Sequence, residues 1–253
     1  MNSLQIIPLP KIPLVQSGDD LGWLIVEAIE HTGINLTDHD IVVVAQKIVS
    51  KAEGRFVRLS EVTPSAEAVE LAQITGKPAE LIEVILWDTA EIIRARKDLL
   101  IVEHKLGFIS ANAGVDHSNV GPEAGKWLRL PQDPDASARA LRQRLAELLG
   151  IRPPVLIIDS HGRPWRWGTV GVTIGLSGLA PVQDLRGAPD LFGEPLQHTD
   201  IGFTDQIAGA ASLLMGQAAE GCPVVIVRGL AFSPDENAAA ADVLRPKETD
   251  EFR

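Results

Sequence analysis

At 253 residues, with 45% hydrophobic and 23% charged positions, the chain has the make-up of a folded globular protein and not of a disordered one. A formal net charge of −11 argues against general nucleic-acid binding, which needs Lys and Arg to neutralise phosphates, so an anionic small molecule would have to meet locally gathered cations or metal. Cys222 is the only cysteine, which excludes an intrachain disulfide and a four-cysteine zinc site and fits a reducing cytosol.

The N-terminal MNSLQIIPLPKIPL has no basic stretch leading into an apolar run of signal length. No apolar run approaches the roughly 18 residues of a membrane span, so a soluble, cytoplasmic protein is expected. Residues 4–9 are short and apolar, and Pro8, Pro10 and Pro13 bend the path. Ser17-Gly18-Asp19-Asp20 reads as a helix start with acidic residues where the helix dipole favours them; Leu21, Leu24, Ile25 and Ala28 supply its buried face to about His31. Ile41–Ala45, IVVVA, is apolar enough for a strand buried on both faces. It runs into QKIVSKAEGR, residues 46–55, whose three cations around Ser50 and Gly54 either line an anion pocket at a strand end or belong to a polar hairpin.

From Ser65 to Arg96 the pattern is helical: Ser65-Ala66-Glu67 starts one helix that Gly76 ends, and Pro78 starts another through Ile85. Leu99–Val102 reads as a strand and Leu106–Ser110 as its hairpin partner. The run ANAGVDHSN, residues 111–119, is small and polar enough to let a ligand approach backbone. In it Asp116 would be a hard-cation ligand and Asn119 an amide hydrogen-bonding group; otherwise it is a plain loop. GPEAGKW, residues 121–127, is not a phosphate-binding P-loop, because Trp127 stands where Ser or Thr must hold magnesium and the glycines are too close. No GxGxxG occurs either.

Pro131–Asp135 reads as a linker into a helix, Ser137–Leu149, closed by Gly150. Val155–Ile158 is then a buried strand that delivers Asp159 and Ser160 to its end, where His161-Gly162-Arg163-Pro164 must turn sharply. Arg163 and Arg166 follow, and Thr169–Gly175 is extended. A carboxylate, a hydroxyl and two guanidiniums at a strand mouth suit a metal ion and phosphate oxygens; an exposed, self-capped turn is the bland alternative. Thr204-Asp205-Gln206 begins a helix whose Asp205 complements the dipole and is not a site residue. GQAAEG, residues 216–221, leads to the strand Val224–Val227 and either aims backbone N–H groups at a nucleotide or is a helix cap and surface turn. The tail from Ser233 to Arg253 is expected to be a charged surface arm. Strands and helices mix without strict βαβ alternation, so the class is α+β. The linker suggests a two-lobed mixed α/β monomer: residues 1–130 with nucleotide and metal motifs, and 131–253 with a second metal motif and the nucleotide loop.

Taken together and in this order, AQKIVSKAEGR, ANAGVDHSN, IDSHGRPWRWG and MGQAAEGCPVVIVRG resemble the coenzyme F420-0:L-glutamate ligase, or gamma-glutamyl ligase, family. The resemblance runs from Pro8 to about Gly229. It implies a GTP-dependent ligase that joins L-glutamate through amide bonds to the phospholactyl carboxylate of F420-0, and gamma-linked to further glutamates, releasing GDP and phosphate. It also implies magnesium or manganese, potassium as an accessory ion, and an intertwined homodimer with the site at the interface. Carried over by position, Asp116 and Asp159 would bind one metal, and Ser160 and Gln217 a second. Ile12, Pro13, Leu14, Val15, Gln46, Lys47, Lys51 and Asn119 would surround the GTP with Met215, Gly216, Gln217, Ala218, Ala219, Glu220, Gly221 and Cys222. Asp116, Asp159 and Lys51 would be catalytic. Ser160 departs from the family's usual Thr but keeps the hydroxyl. Some members carry a further C-terminal flavin-type domain, for which this chain leaves no length.

The residue types suit that chemistry, since an acyl phosphate must be formed before an amine can attack, and phosphoryl transfer requires metals and cations at phosphate oxygens. Lys47 and Lys51, with Arg163 or Arg166, would supply the cations. His117 and His161 would more simply be hydrogen-bonding bystanders than general bases. Two other readings compete: a metal-dependent phosphoester hydrolase using the same carboxylates on water, and a nucleotide-binding regulatory protein without chemistry.

Overall fold

The computed structural model describes residues 3–121 and 125–250. Pro122–Ala124 of the GPEAGKW run and the last three residues of the tail lie outside the described residues.

In chain order the elements are β1 (Gln5–Pro8), α1 (Leu21–Thr32), β2 (Ile41–Ala45), α2 (Gln46–Ala52), β3 (Phe56–Arg58), α3 (Ala66–Thr75), α4 (Ala79–Leu86), β4 (Thr89–Arg96), β5 (Leu99–His104) and β6 (Ile109–Ala111). Then follow β7 (Lys126–Leu128), α5 (Pro134–Leu149), β8 (Val155–Arg163), β9 (Arg166–Ser177), β10 (Val182–Asp184), β11 (Asp200–Gly202), α6 (Phe203–Met215) and β12 (Val224–Arg228). The fold is α+β. Its centre is a five-stranded sheet in the order β1-β12-β2-β8-β9, in which only β2 and β8 run parallel.

The apolar runs in β2, β8 and β12 are buried on both faces, and alternation divides them between two cores. Val42, Val44, Val155, Ile157, Val224 and Ile226 meet Ile25 and Ile29 of α1 and Leu141 and Leu145 of α5. Ile41, Val43, Leu156, Ile158, Val225 and Val227 meet Phe203, Ile207 and Ala211 of α6. Each such side chain contributes about 1.5–3 kcal/mol by leaving water. A third core joins α3 and α4 to the small sheet β4-β5-β6 through Leu71, Ile82, Ile85, Leu100 and Val102. The sequence boundary expected at residue 130 therefore crosses the large sheet, which takes β1 and β2 from before it and β8, β9 and β12 from after it.

Several local expectations are corrected. Residues 46–52 are helical, not a hairpin: Lys47 and Lys51 are four apart and share one face while Ile48 and Val49 are buried. The helical pattern does not reach Arg96, because β4 pairs with β5 from Thr89 onward. Pro131–Asp135 is not a free linker. Asp133 accepts from Ala136 N–H as the cap of α5, and Pro134 takes the first helical position, buried where a Cβ on Gly175 would strike it. Asp159 and Ser160 lie within β8, which continues to Arg163; the reversal falls on Pro164-Trp165. The tail is anchored: Ala238 and Ala240 are buried, and Glu236 pairs with the buried Arg142 at 2.7 Å. Among the described residues no helix is long and apolar enough to cross a membrane.

Candidate functional site

β2 ends at Ala45, beside Ile158 of the parallel β8, and α2 begins without a break at Gln46. The ends of adjacent parallel strands are where sheets of this kind leave room for ligands. Ala45 N–H donates to Pro223 O at 2.8 Å, which fixes the end of the 216–223 loop at the same edge. Three motifs far apart in sequence thus converge on one strand end.

Consecutive residues of α2 touch the two expected carboxylates. Gln46 Nε2 faces Asp159 Oδ1 at 3.4 Å, and Ser50 Oγ donates to Gln46 Oε1 at 3.0 Å, so a buried serine orients the amide. Lys47 Nζ lies 2.5 Å from Asp116 Oδ2 and also donates to Ser118 O and Oγ at 2.8 and 2.6 Å. Asp116 Oδ1 accepts from the backbone N–H groups of His117 and Ser118. Burial alone would raise the Asp116 pKa, but the Lys47 and Ser118 hydrogen bonds outweigh it and hold the carboxyl at about 2.

One turn further along α2, Lys51 Nζ donates to Asn119 O at 2.6 Å. Burial, and then the ammoniums of Lys47 and Lys126, press its pKa below the ordinary lysine value. That crowding of ammoniums, of which Lys47 is already paired with Asp116, favours an incoming anion beside Lys51. Asn119, at φ 55°, donates from Nδ2 to Ala218 O at 2.7 Å and so ties the 111–119 loop to the 216–222 loop. In that second loop Gly216 has φ 69° and ψ −173°, and a Cβ there would collide with the Glu220 side chain. Glu220 in turn accepts from Ala218 N–H at 2.8 Å.

Strand alternation separates Asp159 from Ser160. Asp159 follows Val155 and Ile157 on the face towards α1 and α5; Ser160 follows Leu156 and Ile158 on the face towards α6, the helix that leads into Gln217. Gln217, Ala218, Ala219, Glu220 and Gly221 are exposed, while Met215, the last residue of α6, is buried and Cys222 is half-buried. Ile12–Val15 passes between β1 and α1, with Val15 buried and Leu14 85% exposed; Gly18 N–H bonds Ala52 O, so this segment runs beside α2. Arg163 and Arg166 stand at the exposed tip of the β8–β9 hairpin, away from Lys47 and Lys51. A cleft of about 640 Å³ around Asp40 and Arg228 lies at the opposite end of β2 and holds none of the expected residues.

The sequence reading missed Ser118, Ser50 and Lys126. Ser118 sits two residues past Asp116, a spacing at which a serine hydroxyl can return to a carboxylate. Lys126, Nζ 4.0 Å above the Phe56 ring, lay in the run rejected as a P-loop. His117 is exposed and packs on Trp127, with ring centroids 4.6 Å apart.

The donors suit a hard divalent ion. Asp116 is ionised and already holds the ammonium of Lys47, a cation standing where another could stand. Among the described residues no group of three or more His, Cys, Asp or Glu gathers, so a full protein cage is lacking.

The chain was also compared with known proteins. Residues 10–229 match the family described as F420-0:Gamma-glutamyl ligase. A coenzyme F420:L-glutamate ligase of Methanothermobacter thermautotrophicus is 44% identical over 251 residues, covering 99% of both chains. One from Methanopyrus kandleri is 47% identical over 90% of this chain and 88% of its own, and one from Methanocaldococcus jannaschii 41% over 96% and 94%.

Proposed function

The chain belongs to the F420-0:gamma-glutamyl ligase family, and from that premise we propose that it is a GTP-dependent ligase adding L-glutamate to coenzyme F420-0. The observation that carries the reading is the unbroken series of contacts from Asp159 through Gln46, Lys47 and Lys51 to Asp116, Asn119 and Ala218. It joins four separate motifs, two carboxylates, two ammoniums and a glycine-dependent loop at one strand end.

In the proposed reaction a carboxylate oxygen of the F420-0 tail attacks the γ-phosphorus of GTP, the bond to the β-phosphate oxygen breaks, and GDP leaves. The glutamate amine then attacks the acyl carbon, phosphate departs, and the amine loses a proton as the amide forms. Bound Mg²⁺ or Mn²⁺ would neutralise charge on the transferring phosphoryl group, with K⁺ as an accessory ion. Asp116 and Asp159 would hold one ion, Ser160 and Gln217 the other. Lys51, desolvated and crowded by like charge, would pair with phosphate oxygens; Lys47 would do so once an ion takes its place on Asp116. Ile12–Val15, Asn119 and the Met215–Cys222 segment would enclose the nucleotide. The reading extends to a homodimer, supported by Trp165, Trp167, Leu191 and Phe192, each at least 86% exposed.

Mass spectrometry of a mixture of enzyme, F420-0, GTP, glutamate and Mn²⁺ tests the proposal. The expected product is heavier by glutamyl residues, with GDP and phosphate formed in step. GTP turnover that is unchanged by omitting F420-0 and glutamate would refute it and point to a phosphoester hydrolase.

A further inference from the structure

We propose that His161 is a positioning residue for Asp159, fixing its carboxylate for a divalent ion; this rests on the reading of Asp159 as a metal ligand. Because β8 continues past Asp159, residues 159 and 161 project from the same face of the strand. His161 Nε2 is 3.0 Å from Asp159 Oδ2, and the two side chains are 10% and 16% exposed. In the neutral imidazole Nε2–H then donates, and the carboxylate accepts.

The imidazole is itself held. Its ring lies 5.1 Å from Phe108, tilted by 49°, and Phe108 stacks on His104 at 4.9 Å with the rings 11° apart. His104 is buried and accepts Leu106 N–H at its Nδ1 at 3.0 Å, so the stack is rooted in the β5–β6 turn of the small sheet. Asp159 thereby receives His161 on Oδ2 and the longer, 3.4 Å contact from Gln46 on Oδ1. A carboxylate has about four lone-pair directions, so two donors can fix its plane and leave a direction open for a cation. Outer-shell partners of this kind change metal affinity by about 10- to 100-fold when removed.

The test titrates Mn²⁺ alone into nucleotide-free full-length protein, following free Mn²⁺ by electron paramagnetic resonance. His161→Phe keeps a ring against Phe108 but removes the donor, and should weaken binding by about 10- to 100-fold. His161→Gln, whose Nε2 reaches a similar position, should restore most of it, and Phe108→Leu, which leaves His161 in place but loosens it, should fall between. Asp159→Asn should lose the site. If Asp159→Asn weakens binding while His161→Phe binds as wild type, the positioning role is overturned and the metal reading stands. If Asp159→Asn also binds as wild type, the metal reading itself fails. Nitrogen coupling from imidazole to bound Mn²⁺, absent in His161→Gln, would make His161 a ligand and likewise overturn the proposal.

Discussion

Lys47 is the residue whose removal gives the most decisive result, because it stands between Asp116 and any metal. Its ammonium lies 2.5 Å from Asp116 Oδ2, and a divalent ion approaching that oxygen must displace it. Holding the carboxyl at about 2 against an ordinary 3.8 corresponds to ~2.5 kcal/mol of preference for the ionised form. The Asp116 side chain is 39% exposed and Ser118 shares the effect, so solvent screening leaves ~1 kcal/mol to Lys47. Removing the competitor should therefore raise Mn²⁺ affinity about fivefold in the nucleotide-free protein. Lys47→Met keeps the length of the side chain and deletes the charge. Its Mn²⁺ affinity should rise while its GTP affinity falls, and the Asp116 carboxyl, still half-buried, should titrate at higher pH by carbon NMR. Mn²⁺ affinity that is unchanged or lower in a normally folded Lys47→Met would refute the idea that ammonium and metal compete for one oxygen.

Three further outcomes follow from the same contacts. Burial, the main cause, holds the His104 imidazole neutral to about pH 4, against 6.5 in the unfolded chain, so this one group should cost the folded state ~3 kcal/mol as pH falls from 6.5 to 4 and add nothing to the loss below that. His104→Phe should remove that acid sensitivity in denaturant titrations at pH 7 and pH 4; an unchanged pH dependence would contradict it. Arg228→Met takes the guanidinium, bonded at 2.7 and 2.8 Å, from Asp40, which is 1% exposed and keeps only its Thr37 bonds, and should cost ~1.5–3 kcal/mol in thermal unfolding without changing activity per folded molecule. Gly216→Ala forces a side chain into a glycine-only backbone region and against Glu220, so KM for GTP should rise at least about tenfold, with only ~1–3 kcal/mol lost in stability.

The cores were legible where apolar periodicity is unambiguous. IVVVA and VLII read correctly because they are short, rich in β-branched residues and bounded by turn signals, and the leucines of 137–149 because they recur at helical spacing. What failed were segments where punctuation outvoted pairing. Gly162 and Pro164 suggested an early turn, yet β9 pairs through Gly162↔Thr169 and pulls the strand straight. Pro131 and Pro134 suggested a linker, although a proline at the first helical position costs no hydrogen bond. In QKIVSKA the cations hid a helix that only tertiary packing of Ile48 and Val49 makes evident. Of the site, the residue types at Lys47, Asp116 and Asp159 could be read directly. Their convergence could not, because the contact between Lys47 and Asp116 spans 69 residues and depends on the small sheet returning to the large one.

The length of β8 also bears on how one strand could serve two ions. Had the chain turned after Ile158, Asp159 and Ser160 would sit in a flexible loop and could both approach one point. In an extended strand they cannot: neighbouring side chains leave opposite faces, so the carboxylate lies on the side of α1 and α5 and the hydroxyl on the side of α6. In the proposed site the two would therefore serve different ions, as in the split of ligands that the resemblance implies. In that proposal the pairing with β9 that defeated the turn prediction has a role, since a frayed β8 would let Asp159 rotate away from Gln46. Register keeps the strand extended through Asp159↔Val172 and Ser160↔Gly171, and Gly171 admits no side chain because a Cβ there would meet Ala208 O of α6. Close packing of α6 on β9 thus helps determine where a serine hydroxyl on the adjacent strand can point.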